Sequence, residues 1–120
     1  MTPNVAVATA FLDAMKNKNL SQAPLADGLT YLSPLSGELI RGRSHVTRFL
    51  GTYLPVINDI QVIRHIAEGD YIVAVLQVHT TFGLLSLAYV LRVKDDKIAE
   101  IQAFYDPRGF LERMGTHGGG

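Results

Sequence analysis

The sequence predicts an α+β fold: a cone-shaped, curved antiparallel sheet packed on three N-terminal helices. Helix-period apolar residues are confined to the first half of the chain. The second half holds four β-rich runs joined by hairpin-length connections, and those runs are apolar on both faces.

Thr2-Pro3 suits a helix opening, because a hydroxyl can cap the first turn and proline's missing N–H costs nothing at the first helical position. Ala8, Phe11, Leu12 and Met15 then recur at helical spacing, with Asp13, Lys16 and Lys18 on the other side. Ser21 to Ala26 is expected to form a short second helix with Pro24 in its first turn, ended by Asp27-Gly28. Leu29 to Leu35 and Glu38 to Arg41 read as short strands around Pro34 and Ser36-Gly37. From Ser44, the spacing of Val46, Phe49, Leu50, Tyr53 and Leu54 predicts the third helix, closed by Pro55. The strand runs are Ile57 to Ala67, Tyr71 to Phe82, Leu84 to Val93 and Ile98 to Tyr105. A strand such as Tyr71-Ile72-Val73-Ala74-Val75-Leu76 needs cover on both sides, and helices supply only one.

With 120 residues and no change of composition along the chain, one domain is expected over residues 1–114, followed by a flexible C-terminal tail over 115–120. Eleven basic residues balance eleven acidic ones, so no basic field draws in nucleic acid. The absence of cysteine excludes a disulfide framework and a thiolate metal site and agrees with a reducing compartment. Without a signal-like N-terminus or a membrane-length apolar run, the expected location is cytoplasmic, with no membrane partner. No P-loop, G-x-G-x-x-G or G-x-S-x-G motif occurs, and no His, Asp or Glu pair has recognisable ligand spacing, so neither a cofactor nor a metal is expected.

Gly42-Arg43-Ser44-His45-Val46-Thr47-Arg48-Phe49-Leu50 and Arg92-Val93-Lys94-Asp95-Asp96-Lys97-Ile98 resemble two motifs of the nuclear transport factor two-like superfamily, the G-R-x-x-V-x-x-F opening of a helix and the R-V-x-D-G-K-I hairpin. That superfamily includes ketosteroid isomerases, SnoaL-like polyketide cyclases, limonene epoxide hydrolases and scytalone dehydratases. The resemblance, which covers nearly the whole chain, implies a hydrophobic pocket between the concave sheet face and the helices. It also implies a homodimer through the convex face, where Val73, Val75, Ala88 and Val90 alternate.

In the register implied by that resemblance, a ketosteroid isomerase's general base falls on Ser33, and its two oxyanion donors fall on Phe11 and Tyr89. Base and one donor are therefore missing, and typical steroid isomerisation is not expected. Ala103 stands where a limonene epoxide hydrolase has a carboxylate, so that triad is incomplete despite Arg92, Asp95 and Glu100. The same register lines the cavity with Tyr31, Ser33, Phe49, Tyr53, Leu76, Val78, Leu91, Ala103 and Tyr105, with Ala74, Leu87 and Ile101 among them. Its polar groups are mostly phenols, which hydrogen-bond an oxygen while presenting ring surface to an apolar body. Tyr89 is the principal candidate for catalysis. Asp106 is the candidate proton carrier, although strict alternation turns it outward and Asp before Pro also serves turns. His79 belongs to the convex face, His45 to the polar start of the third helix, His65 to an exposed strand position and His117 to the tail. The expected ligand is a small apolar oxygenated metabolite. The expected activity is SnoaL-like cyclase, isomerase or dehydratase chemistry, with a non-catalytic ligand-binding or dimerisation module as the alternative.

Overall fold

The computed structural model describes residues 3–33 and 37–105. Pro34, Ser36, Asp106 and the tail over 115–120 lie outside the described residues. The elements are α1 (Pro3–Lys16), β1 (Leu25–Leu32), β2 (Leu39–Arg41), α2 (Arg43–Tyr53), β3 (Ile57–Glu68), β4 (Tyr71–Thr80), β5 (Gly83–Lys94) and β6 (Lys97–Phe104), with single 3-10 turns at Leu20–Gln22 and Leu54–Val56.

Among the described residues two α-helices form instead of three. Pro24 removes a backbone donor and disfavours helical geometry at the residue before it, and Ala23 accordingly sits at φ −73°, ψ 140°. The segment extends straight into β1, which takes up Asp27 and Gly28 as exposed positions within the strand, between register points at Leu25 and Thr30. Burial of Leu25, Leu29 and Tyr31 holds it in the sheet.

The six strands are ordered β2-β1-β6-β5-β4-β3 in one sheet. It is mixed and not purely antiparallel, because β1 pairs in parallel with β6, Tyr31 opposite Ile101. The β3–β4–β5–β6 meander is antiparallel throughout. Its β5–β6 loop, Asp95-Asp96, has both residues at positive φ (52° and 60°), the conformation a two-residue hairpin needs to match the strand twist. Register shifts at Ile57/Asp59 and Val62/Arg64 in β3, and in β6 at Ala99 opposite Arg92/Val93, bend the sheet.

Helix α1 buries Val7, Ala8, Phe11, Leu12, Ala14 and Met15 against the concave face, alongside Ile72, Leu76, Leu91 and Ile101. Gly42 caps α2 at φ 94°, ψ 139°, a region open essentially to glycine, and its carbonyl accepts from Val46 N–H at 3.0 Å. This bend turns the chain from β2 into a helix that buries Val46 and Leu50. Among the described residues no helix is long and apolar enough to cross a membrane.

Candidate ligand-binding site

Between the concave face and the two helices lies a cavity of about 70 Å3. β1 contributes Tyr31 and β5 contributes Tyr89; Tyr105 follows β6, and α2 brings Phe49 and Tyr53 across its top. Helical spacing puts Phe49 and Tyr53 on one face of α2, and their rings meet edge to face with centroids 5.3 Å apart. Phe49 also packs on Tyr31 at 5.1 Å. At the closed end Phe11 of α1 lies against Tyr89 at 6.0 Å, so the helix fills the cone below that tyrosine.

Among the described residues, the cavity's polar side chains are four phenols and the Thr80 hydroxyl. Thr80 is engaged: its Oγ1 donates to the Gly83 carbonyl at 2.6 Å and accepts from Phe82 N–H at 3.1 Å, closing the β4–β5 turn. Among the described residues, none of the four phenols has a protein hydrogen-bond partner. Burial pushes the Tyr31 phenol well above its usual range, with Tyr89, Tyr105 and Tyr53 nearby adding to the shift. Burial does the same at Tyr89, helped by Tyr105. Tyr105 is pushed up to about 12 by burial and by Tyr53. These three phenols therefore remain protonated donors at neutral pH. No Asp, Glu, His, Lys or Arg lines the cavity among the described residues.

Of the residues named from sequence, Tyr31, Phe49, Tyr53, Leu76, Val78, Tyr89 and Tyr105 line this cavity, as does Leu87. Ser33, Ala74, Leu91, Ile101 and Ala103 do not. Ser33 is buried in the turn after β1, where its N–H donates to Glu38 and its carbonyl accepts from Gly37. Leu91 belongs to the apolar cluster with Phe11 at the filled end of the cone. Ala103 pairs with Tyr89 across the strands and is buried in the apolar cluster. His65 is also placed differently, part-buried opposite Ala74 with Nε2 enclosed and unpartnered. His79 is exposed, and the His45 ring nitrogen Nδ1 lies 3.1 Å from the Arg41 carbonyl.

Sequence reasoning missed Met15, Leu50, Val56, Ile57, Ile60, Thr80 and Leu85. Met15 was legible as the position one helical turn beyond Phe11. Ile57 and Ile60 were hidden by the register shift between Ile57 and Asp59, which gives residues three apart a common face in a strand. Among the described residues no cluster of three or more potential metal ligands exists.

No curated protein matches the sequence at a significant level. Solved structures match the fold closely. One protein from Kribbella flavida DSM 17836 has a TM-score of 0.90 at 17% identity, covering 100% of both chains. An NTF2-like protein of unknown function from Cytophaga hutchinsonii has a TM-score of 0.78 at 14% identity, covering 90% of this chain and 94% of that one. A steroid delta-isomerase from Pseudomonas aeruginosa has a TM-score of 0.77 at 21% identity, covering 99% and 93%. At these identities the likeness is one of fold. The fold is thus nuclear transport factor two-like, shared with ketosteroid isomerase-like proteins, and with residues 2–116 matching the family described as Domain of unknown function (DUF4904), the chain belongs to that family.

Proposed function

We propose that the cone cavity binds a small, apolar, oxygen-bearing metabolite and orients it by hydrogen bonds from its tyrosines. The carrying observation is that four phenols from separate elements open on one apolar cavity, without a protein acceptor among the described residues. A buried, preoriented donor polarises a ligand oxygen without solvent reorganisation, which is how such a site assists isomerase, cyclase or dehydratase chemistry. Tyr89 is the proposed catalytic donor and Asp106 the proposed proton carrier. A second reading, a non-catalytic binding module, is supported by the absence of an acid-base group from the described lining residues.

The binding reading is tested by protein-observed NMR titration with a panel of small ketones, aldehydes, epoxides and alcohols. Shifts concentrated at Tyr31, Phe49, Tyr53, Tyr89 and Tyr105 are expected; a panel that shifts none of them refutes it. With a substrate in hand, loss of turnover in Asp106→Asn selects the enzyme, and unchanged turnover removes Asp106 as the proton carrier.

For assembly, a homodimer through the convex face is proposed. Val73, Val75, Ala88 and Val90 lie there half-buried beside the exposed Tyr71, Leu84 and Phe104, an apolar surface that monomers rarely leave in water.

A further inference from the structure

The chemistry the cavity accepts is narrower than "apolar and oxygenated". Thr80 is already bonded on both its donor and acceptor sides, so recognition falls to Tyr31, Tyr53, Tyr89 and Tyr105. All four line the one cavity, where Phe49 packs between the rings of Tyr31 and Tyr53 with centroids 5.1 and 5.3 Å away. Yet no hydrogen bond joins any two of them among the described residues. They surround a gap that a ligand's polar atoms can fill.

Three features constrain that ligand. The lining carries no charged side chain among the described residues, so an ion entering it would lose its hydration without gaining a counter-charge. Tyr31 and Tyr89 are buried and Tyr53 and Tyr105 half-buried; a phenol O–H facing an apolar cavity calls for an acceptor, and one carbonyl oxygen has two lone pairs, so the four donors can saturate two carbonyl oxygens. The cavity is open on one side, and its volume of about 70 Å3 is roughly half that of a dry apolar cavity that admits benzene, about 150 Å3. It therefore encloses a group of a few heavy atoms, and the remainder of a larger ligand extends through the mouth.

We infer that the cavity recognises the vicinal dicarbonyl head of a neutral ligand, two adjacent carbonyl oxygens each accepting from the phenols of Tyr31, Tyr53, Tyr89 and Tyr105. This rests on the proposed function of the same cavity and specifies its ligand.

The test compares 2,3-butanedione, 2-butanone and 2,3-butanediol by ligand-observed NMR near neutral pH, in borate-free buffer to suppress reaction with arginine. These share a four-carbon skeleton and differ in the number and kind of oxygens. The expected order is dione over monoketone by about tenfold or more, as two additional neutral hydrogen bonds allow, with the diol no tighter than the monoketone. In Tyr31→Phe/Tyr105→Phe the dione's advantage should fall to about threefold or less, whereas Tyr71→Phe, on the convex face, should preserve it. A monoketone bound as tightly as the dione overturns the two-oxygen reading, and a diol bound most tightly overturns the acceptor reading. Both outcomes leave the binding function standing if the cavity residues shift. If none of the three binds while another panel compound shifts the cavity, only the dicarbonyl inference fails; if nothing shifts it, the proposed function fails too.

Discussion

Tyr89 owes its position to the alternation of β5, which turns it inward opposite Ala103, and to Phe11, which closes the space beneath it. Removing its hydroxyl while keeping the ring separates hydrogen bonding from packing. Tyr89→Phe is expected to weaken binding of an oxygenated ligand about 2- to 12-fold, the span of one neutral hydrogen bond, with the urea midpoint nearly unchanged. Equal affinity in calorimetry removes Tyr89 from the site. Phe11 is fully buried, and Phe11→Ala should cost about 3–5 kcal/mol by urea denaturation. Phe49→Ala should cost less, because Phe49 lines the cavity and is only partly buried. The tyrosines were legible through the register that the family resemblance implies, with alternation fixing the face of Tyr31 and Tyr89 in their strands and helical spacing that of Tyr53. Depth was not legible: Leu91 shares Tyr89's face but lies where the helix fills the cone, and alternation says nothing about what covers a face.

At the scale of elements, local signals were read well where one dominates. The periodicity around Phe11 and around Phe49 marks both helices, and the turn residues mark the meander. The misreadings arose where signals compete. Pro24 permits a first helical turn but forbids helix at Ala23, and the second effect prevails because Leu25, Leu29 and Tyr31 gain burial as a strand. The parallel β1–β6 pairing joins segments far apart in sequence, which no local pattern encodes. Gly42 enters the sequence only as the first residue of a resemblance motif, and the structure supplies its reason, a positive φ at the turn into α2. Gly42→Ala places a side chain at φ 94° and should destabilise the fold by about 1–3 kcal/mol. A loss below about 0.5 kcal/mol, ordinary for a surface change, contradicts the strained turn into α2.

For the molecule as a whole, the buried phenols couple folding to alkaline pH. Tyr31 and Tyr89 titrate above their unfolded value of about 10. Below pH 10 both states are protonated and the phenols' contribution is fully present. Above it, the unfolded chain releases protons that the folded chain retains, and stability is lost as pH rises through the folded values. Denaturation midpoints should therefore fall from about pH 10 upward, less steeply in Tyr31→Phe and Tyr89→Phe. A wild-type slope identical to both variants excludes their burial. Convex-face pairing predicts twice the monomer mass in light scattering and dissociation by Val90→Asp; a concentration-independent monomer refutes it.

The central claim is that the phenols bind a ligand oxygen inside the cone. It is tested most directly by a crystal structure with the tightest-binding compound of the oxygenated panel. The expected result is a ligand oxygen within about 2.5–3.0 Å of one or more hydroxyls of Tyr31, Tyr53, Tyr89 and Tyr105. A ligand on the convex face, or one in the cone whose oxygen touches none of them, contradicts the claim.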